Sequence, residues 1–266
     1  MPPLVFRIIV LYIAIMKNAL IAEIFSSIQG EGPWVGQRQI FVRFMGCDIQ
    51  CRYCDTPEAG NRENNKGSHG YCRVQRSIDS TVYERVFNPL SALQLTEFCT
   101  RLIVRGPSSP TLSLTGGEPL LQSQFLTEWL PQARKDFRVY LETSGIHYRA
   151  MEDILGLVDV VSMDFKLPSA TGLGPFWDEH DKFLAVIRGK SVFVKAVATG
   201  DTQIDDILTS VNIIREIDVS IPFIIQPASG ELTPDPVKLV EFQNAALGIL
   251  KDVRVIPQVH KVLHLP

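Results

Sequence analysis

Short apolar runs alternate with longer amphipathic stretches along most of this chain. The apolar runs predict eight strands, at residues 19–25, 39–45, 111–115, 138–143, 158–165, 192–198, 221–226 and 253–257. Segments of helical length predict helices at 91–104, 119–135, 178–187, 205–217 and 235–250. Runs such as VFVKAV and PFIIQP are largely apolar, which is typical of strands buried on both faces of a sheet. The alternation predicts βα units on a mostly parallel sheet, and about six such units predict an open or partial barrel.

Two segments break this pattern. Residues 58–90 are polar and weakly periodic, which predicts an insertion, or a lid over whatever the nearby cysteines hold. Residues 4–16, LVFRIIVLYIAIM, are apolar, but they are shorter than the roughly 20 residues of a membrane span and contain Arg7, so no membrane anchor is predicted. Either translation starts at Met16, or this stretch packs on the domain as a strand or helix. We therefore treat 1–17 as an extension and 18–266 as one domain.

Composition narrows the class of protein. With 266 residues, 45% of them hydrophobic and 21% charged, the chain is long enough for one large α/β domain. A formal net charge of −3 without runs of like charge gives no sign of a nucleic-acid-binding surface, so a small molecule or a protein is the expected partner. Five cysteines, three of them close together, do not form a secreted disulfide framework and favour a reduced, cytoplasmic protein.

Three cysteines, Cys47, Cys51 and Cys54, form a Cys-x3-Cys-x2-Cys pattern just after a predicted strand. A structural zinc site normally closes with four protein ligands, and no fourth stands at finger spacing. An iron–sulfur cluster with three thiolates would leave one iron open to a reactant. The alternatives are three buried core cysteines or a site closed by a distant fourth ligand. Candidates for that fourth ligand are Cys72, His69 and Cys99.

With Tyr53 before its last cysteine, this loop resembles the cluster loop of radical S-adenosylmethionine (SAM) enzymes. The resemblance implies a partial (β/α)6 barrel and a 4Fe-4S cluster whose open iron chelates SAM. It also implies that no side chain is catalytic beyond the cofactor-derived 5′-deoxyadenosyl radical. LTGGEP, residues 114–119, is similar to the motif that receives the methionine amino group in that family. The implied SAM-binding residues are Tyr53, Gly116, Gly117, Glu118, Ser144 and Lys166, although Ser144 and Lys166 also suit plain capping of strand ends.

The flanking segments resemble one family within this group. Residues 25–47, the CDT at 54–56 and the terminal VRVIPQVHKVLHLP are similar to 7-carboxy-7-deazaguanine synthases. The resemblance implies conversion of 6-carboxy-5,6,7,8-tetrahydropterin to 7-carboxy-7-deazaguanine with loss of ammonia, in queuosine and deazapurine biosynthesis. It implies Mg²⁺ on Thr56, a homodimer, and an electron donor such as flavodoxin or ferredoxin. The implied substrate-binding residues are Gln29, Glu31, Gly32, Arg43, Thr115, His260 and Pro266.

The residue types suit that substrate. A pterin edge presents donors and acceptors, which an amide such as Gln29 and a carboxylate such as Glu31 complement. Arg43 offers a planar fork for the substrate carboxylate, and His260 is expected to close the pocket together with the terminal carboxylate. Each residue also has a structural explanation: a glycine-rich turn, a surface strand, a core histidine, or local capping by Thr56.

Two other functions stay open at this point. SMDFK stands where a Ser-Pro-Lys-type segment is expected, and its Asp164 and Lys166 resemble the Asp-x-Lys of activating enzymes for glycyl-radical proteins, which act on a partner protein. A non-catalytic iron–sulfur or zinc module would require four protein ligands. The QGEG and PQVH segments favour the pterin hypothesis over an activating enzyme. Loss of the metal on changing Cys72, His69 or Cys99 singly would identify the non-catalytic module.

Overall fold

The computed structural model describes residues 18–56, 59 and 70–266, and within them ten strands form one sheet. The spatial order is β10-β9-β8-β7-β6-β5-β2-β1-β3-β4. The strands are β1 (Ile21–Ile28), β2 (Arg38–Phe44), β3 (Tyr71–Gln75), β4 (Tyr83–Phe87), β5 (Thr111–Gly116), β6 (Arg138–Thr143), β7 (Val160–Phe165), β8 (Ser191–Ala198), β9 (Phe223–Pro227) and β10 (Val253–Val255).

Helices connect most of the strands. They are α1 (Ala92–Arg101), α2 (Ser123–Ala133), α3 (Tyr148–Ile154), α4 (Pro168–Thr171), α5 (Trp177–Val186), α6 (Ile204–Ile217), α7 (Pro236–Leu247) and α8 (Val259–Val262). Local sequence fixes some of their starts: the Ser91 side chain accepts from the Gln94 backbone N–H, and the Gln94 side chain accepts from the Ser91 N–H. This reciprocal cap satisfies two N–H groups that the first turn leaves without helical partners.

The sheet is parallel from β2 through β5 to β10, and β1 runs antiparallel to β2. Its edges, β4 and β10, do not meet. The prediction of an α/β fold with a mostly parallel, partial-barrel sheet is therefore confirmed. The carboxyl ends of β2 and β5–β9 lie along one edge of the sheet, where such folds collect their functional side chains.

Alternation along the strands separates two faces of the sheet. In β6, Val139 and Leu141 belong to the main core, whereas Tyr140 belongs to a second apolar cluster with Val160, Phe193 and Ile224. Successive side chains of a strand point to opposite faces, so the main core and this inner cluster lie on opposite sides of the sheet. The inner face also carries the side chains of the site described below.

The predicted insertion differs from its expected form. From Gly70 onward it contains β3 and β4, an antiparallel hairpin that extends the sheet beyond β1. None of the described residues between 70 and 90 lines the main cavity, so the lid interpretation is wrong for this part. Strand β3 has no clear alternation of polar and apolar residues, because aromatic Tyr71 is exposed and polar Gln75 is buried. Residues 1–17, 57–58 and 60–69, with His69 among them, lie outside the described part.

Two further differences concern helices. Helix α3 was not predicted because it has only seven residues, yet it buries Met151 and Ile154. The helix predicted to begin at 119 starts instead with a 3-10 turn, Pro119–Gln122, before α2.

Within the described residues, none of the helices combines the length and apolar character needed to cross a membrane.

Candidate active site

One cavity of about 910 Å³ opens at the carboxyl edge of the sheet. The ends of β2 and β5–β9, the loop after β2 and the C-terminal segment all contribute to its lining. A volume of this size is at the upper end of the roughly 300–1,000 Å³ of small-molecule sites. The cavity has two chemically different ends. We call them the thiol end (Cys47, Cys51, Cys54 and the Gly116–Gly117 turn) and the carboxylate end (Glu31, Glu142, Lys195, Gln226 and Gln258).

At the thiol end, the loop after β2 presents Cys47, Cys51 and Cys54 to the cavity. Cys54 is exposed and the other two are partly buried. Burial raises the pKa of the Cys47 thiol to about 11 and also raises the pKa of Cys51. A bound metal ion stabilises the thiolate form, so this set of ligands suits a metal cluster better than a free nucleophile, which needs a lowered pKa.

The cysteine loop is anchored on both sides. The backbone N–H of Arg52 donates to the Thr171 carbonyl at the end of α4, at 3.2 Å, and the Arg52 guanidinium pairs with Asp201. The Gly46 N–H donates to the Ala59 carbonyl at 2.7 Å. The three thiols are thus held by the main chain around them.

The Gly116–Gly117 turn after β5 packs directly on this loop. The Gly117 N–H donates to the Phe44 carbonyl at 3.0 Å, and the Glu118 N–H donates to the Gly46 carbonyl at 2.7 Å. A Cβ atom at Gly117 would lie 2.0 Å from the Gly46 oxygen, and Gly116 has a φ of +114°. Both positions require glycine, one for close approach and one for its backbone conformation.

Glu118 was expected to bind SAM, but its side chain does not face the cavity. Its buried carboxylate accepts from Thr143 Oγ1 at 2.9 Å, from the Ser144 N–H at 2.8 Å, from Ser144 Oγ at 2.7 Å and from the Leu120 N–H at 3.1 Å. It is not among the lining residues. These four donors occupy the carboxylate, which ties the glycine turn to the end of β6.

His180 of α5 contacts Ser144, which follows β6 and also binds Glu118. Its ring stacks on Phe165 with centroids 4.4 Å apart, and Nε2 lies 3.2 Å from the Ser144 carbonyl oxygen. Burial lowers the pKa of His180 to about 4. The neutral ring therefore donates from Nε2, and a hydrogen-bonded connection runs from α5 through Ser144 and Glu118 to the cysteine loop.

At the carboxylate end, Glu31 pairs with Lys195 and accepts from Gln258 Nε2 at 2.8 Å and from Gln226 Nε2 at 3.2 Å. Burial raises the pKa of Glu31, but the charge of Lys195 and the hydrogen bonds outweigh it and leave the pKa below its ordinary value. Glu31 is therefore an ionised acceptor at neutral pH.

Glu142 lies at the same end, in a second group of hydrogen bonds. It accepts from Thr115 Oγ1 at 2.6 Å and from Gln29 Nε2 at 3.0 Å. Burial, with the charge of Glu31 as a smaller contribution, raises the pKa of Glu142 above its ordinary value. The pKa values of these two neighbouring carboxyl groups are thus shifted in opposite directions, and such perturbed pKa values are common in functional sites.

Asp164 links the two ends of the cavity. Its Oδ2 lies 3.0 Å from Lys166 Nζ and 3.4 Å from Lys195 Nζ. Lys166 lies 5.6 Å from the centroid of the Tyr53 ring, beside the cysteine loop. Lys166, Asp164, Lys195 and Glu31 consequently form a row of alternating charges along the inner face of the sheet.

The C-terminal segment closes the cavity at the carboxylate end. Gln258 Nε2 donates to both Glu31 and Asp55 at 2.8 Å, and Lys261 Nζ lies 3.2 Å from Asp55 Oδ2. The Val259 N–H donates to the Gly30 carbonyl at 2.9 Å. Burial lowers the pKa of His260, which packs against Gly30.

The structure brings nearly all of the predicted site residues together. Those that line the cavity are Gln29, Glu31, Arg43, Cys47, Cys51, Tyr53, Cys54, Thr56, Thr115, Gly116, Gly117, Ser144, Lys166, His260 and Pro266. Gly32 and Glu118 are not among them. Gly32 instead packs against the Phe193 ring, where a Cβ would lie 2.4 Å from a ring carbon.

Sequence reasoning did not identify Asp55, Lys195, Gln226 or Gln258 as site residues. A usable signal existed for Lys195, because a lysine inside the buried run VFVKAVA has to find a charged partner. Gln226, which ends a similar run, gave a weaker signal. Asp55 and Gln258 lie in the CDT and PQVH segments that carry the family resemblance, but the resemblance assigned no role to either residue.

The structure also tests the thiols considered as a fourth ligand. Cys72 of β3 and Cys99 of α1 are fully buried in the main core, and neither lines the cavity. Of the described thiols, only three therefore face the cavity, a set that fits a cluster with one open iron. Glu31, Asp55 and His260 place ligand atoms within 4.8 Å of one another, but Lys195 and the glutamines already engage Glu31, and we assign no ion there.

Comparison with known proteins places the chain in a class. The model of the Radical SAM superfamily matches residues 41–221, so the chain belongs to this superfamily, whose members carry a 4Fe-4S cluster and use SAM. The 7-carboxy-7-deazaguanine synthase of Geobacter sulfurreducens is 36% identical over 250 residues, which cover 92% of this chain and 97% of that protein. That of Methanothermobacter thermautotrophicus is 35% identical over 272 residues, covering 94% and 99%. The chain belongs to the 7-carboxy-7-deazaguanine synthase family.

A solved structure supports the fold assignment. The crystal structure of QueE from Escherichia coli matches with a TM-score of 0.58 and 19% sequence identity, and the match covers 93% of this chain and 97% of that one. At this identity, the match concerns the fold alone.

Proposed function

We propose that this protein converts 6-carboxy-5,6,7,8-tetrahydropterin to 7-carboxy-7-deazaguanine, with release of ammonia, in queuosine or deazapurine biosynthesis. The observation that carries the proposal is the two-ended cavity. Three thiols converge at one end, and partly buried carboxylates and buried amides face the other. One chamber can thus hold SAM next to a polar heterocycle.

The thiol end supplies the place where the radical forms. Cys47, Cys51 and Cys54 would hold the cluster, which with SAM supplies the 5′-deoxyadenosyl radical that abstracts hydrogen from the substrate. The protein fixes geometry: Gly116 and Gly117 bring main chain close to the cavity, and Lys166 and Ser144 offer polar contacts to SAM. Tyr53 adds an aromatic surface between the cluster loop and Lys166.

The carboxylate end suits the pterin ring. A ring edge with N–H donors needs acceptors, which Glu31 and Glu142 provide, and the hydrogen bonds that Gln29 and Thr115 donate hold Glu142 in place. Because the protein prearranges these acceptors, a heterocycle without matching N–H donors would leave them without a hydrogen bond from the ligand. The array therefore favours a pterin over an apolar ring of similar size.

Arg43 and Thr56 complete the proposed site. The Arg43 side chain lines the cavity above the Phe25 ring, at 5.6 Å, and its contact with Glu23 is long at 3.7 Å, so the guanidinium can engage the substrate carboxylate. The Thr56 hydroxyl would bind Mg²⁺ together with water and substrate oxygens. His260 and Pro266 would close the pocket over the substrate.

The protein is further proposed to act in the cytoplasm as a homodimer, with flavodoxin or ferredoxin as the electron donor. Radical SAM enzymes need a reductant, and the superfamily assignment supports that requirement. The similarity to 7-carboxy-7-deazaguanine synthases over nearly the whole chain favours a small pterin over a partner protein as the substrate.

The test is an anaerobic assay of the reconstituted protein with reductant, SAM, Mg²⁺ and 6-carboxytetrahydropterin, followed by mass spectrometry. We expect 7-carboxy-7-deazaguanine and ammonia in equal amounts. A matched reaction with the pterin that lacks the carboxylate should give little product. Formation of 5′-deoxyadenosine without the deazaguanine, in a sample with a verified cluster, would refute the proposed substrate.

A further inference from the structure

Lys195 occupies the centre of the carboxylate end, and neither the recognised motifs nor the family resemblance gave it a role. It is 8% exposed, at the middle of a strand whose other residues are mostly apolar. Lysine is almost never buried unless it is paired. Its burial therefore points to a function in the arrangement of charges around it.

Lys195 has carboxylate partners on two separate elements. Its Nζ pairs with Glu31, from the loop after β1, and lies 3.4 Å from Asp164 Oδ2 on β7. The side chains of all three residues are at most 14% exposed. The Lys195 ammonium group therefore connects Glu31, the proposed pterin-binding carboxylate, to Asp164. Asp164 in turn contacts Lys166.

Other charged groups around Glu31 increase the importance of Lys195. Asp55 of the cysteine loop, Glu142 of β6 and His260 of the C-terminal segment face Glu31, and the two acidic groups oppose its ionisation. Gln226 and Gln258 donate hydrogen bonds but carry no charge. Lys195 is thus the cation that directly compensates Glu31 in the described part of the chain. Without it, burial would favour protonation of Glu31.

We propose that Lys195 is a positioning residue for substrate recognition. It keeps Glu31 ionised and in place as the acceptor for a donor edge of the pterin, while Asp164 keeps its own, shorter contact with Lys166. This inference rests on the proposed function, because it assigns Glu31 to the pterin. Lys195 does not itself need to touch the substrate.

The test measures binding rather than turnover. Reconstituted enzyme with SAM, Mg²⁺ and an oxidised cluster, without reductant, is titrated calorimetrically with 6-carboxytetrahydropterin. We expect Lys195→Met to weaken binding by ~30-fold or more, as truncation of one member of a buried charge pair does. Lys195→Arg, which keeps the charge, should recover most of the loss. Affinity for SAM should change by less than about threefold, since the SAM contacts lie at the other end.

A double variant and a pH series separate positioning from a merely structural role. In Glu31→Gln, the added Lys195→Met change should cost little further affinity, because no carboxylate remains to be compensated. The affinity of Lys195→Met for the pterin should increase as pH rises, because Glu31 then ionises. The affinities of wild type and of the double variant should not show this increase. If Lys195→Met does not fold, the neutral pair Glu31→Gln/Lys195→Gln replaces it, with thermal unfolding as the check.

The outcomes are distinguishable. Equal pterin affinity of wild type and Lys195→Met, or additive losses in the double variant, would overturn the inference while the proposed function stands. Absence of pterin binding by intact wild-type holoenzyme would overturn the proposed function, and the inference with it. A weakened, pH-dependent and non-additive Lys195→Met variant would support both.

Discussion

The two ends of the cavity are built in different ways. The thiol end comes from the cysteine loop at 47–54 and the Gly116–Gly117 turn, and main-chain hydrogen bonds hold these two pieces against each other. The carboxylate end draws its side chains from positions as far apart as Glu31 and Gln258, on several elements. There the contacts are between side chains, of which Lys195, Gln226 and Gln258 are buried and the two glutamates are partly buried.

This difference predicts how each end responds to change. A backbone-built site that offers only three thiols has no substitute for a missing part, so changes there should abolish function. A network of side chains loses one interaction at a time, so changes there should be graded and should act on substrate affinity. The following experiments test this contrast, from the largest expected effect to the smallest.

Replacement of a thiol should have the largest effect. Cys51→Ser removes one of the three thiols that face the cavity, and we expect loss of bound iron and at least ~100-fold less cleavage of SAM. Iron content and visible absorption of the reconstituted protein measure the first effect, and 5′-deoxyadenosine measures the second. Cys99→Ala, in the main core, is the control and should keep its iron. The reverse result would place the cluster elsewhere.

A single methyl group at Gly117 should be almost as damaging. Its Cβ would lie 2.0 Å from the Gly46 carbonyl oxygen, so Gly117→Ala must push the glycine turn away from the cysteine loop. We expect cluster content and SAM affinity to fall together, by ~10-fold or more in affinity. Gly174→Ala adds the same methyl group where no atom lies within 4 Å, and it should behave as wild type. Normal SAM affinity in Gly117→Ala would contradict the close approach.

A change in the carboxylate end should be milder and selective. Glu142→Ala leaves Gln29 and Thr115 without their acceptor, and we expect affinity for 6-carboxytetrahydropterin to fall by ~10- to 100-fold. Cleavage of SAM without substrate should remain within a few-fold of wild type. Glu152→Ala, on the exposed face of α3, controls for loss of a carboxylate. An equal loss in SAM affinity would mean that the two ends are not separable.

The smallest effect on activity is expected at His180, which touches the site only through Ser144. Burial lowers the pKa of His180 to about 4, against about 6.5 in an unfolded chain, so the unfolded state binds more protons between these values. Stability should therefore fall as pH drops from 6.5 to 4, by ~3 kcal/mol from this group. His180→Gln should reduce that slope in urea unfolding, and the exposed His264→Gln should not. An unchanged slope in His180→Gln would contradict burial of a neutral ring.

Much of the fold could be predicted because its patterns are local. The core strands β5–β9 were predicted within two residues at each end, since each is a short apolar run between polar segments. The hairpin of β3 and β4 was missed because each strand has only five residues, and because charged and aromatic side chains share its exposed face at the edge of the sheet. Helix α3 was missed because seven residues give too little periodicity.

The residues of the candidate site likewise fall into those that the sequence predicts and those that it does not. Cys47, Cys51 and Cys54 could be predicted as cluster ligands because they stand close together in the chain, and chain geometry alone keeps them near each other. Lys195 and Gln258 were not identified, because a residue becomes part of a charge network only through neighbours that are distant in sequence. Glu118 was identified as a SAM contact, but the structure directs its carboxylate to Ser144 and Thr143.

The sequence by itself was enough to place three thiols on one loop, to predict the close approach of the glycine turn and to predict most strands and helices, since each depends on residues a few positions apart. The tertiary structure decided in which direction the pKa of each carboxyl group shifts, which lysine is paired and which thiols lie in the core. These properties depend on burial and on distances between charges, and both are set only when β1, β6, β7 and β8 come together in one sheet. For that reason, Glu31 and Glu142 look alike in the sequence and have pKa values shifted in opposite directions in the folded protein.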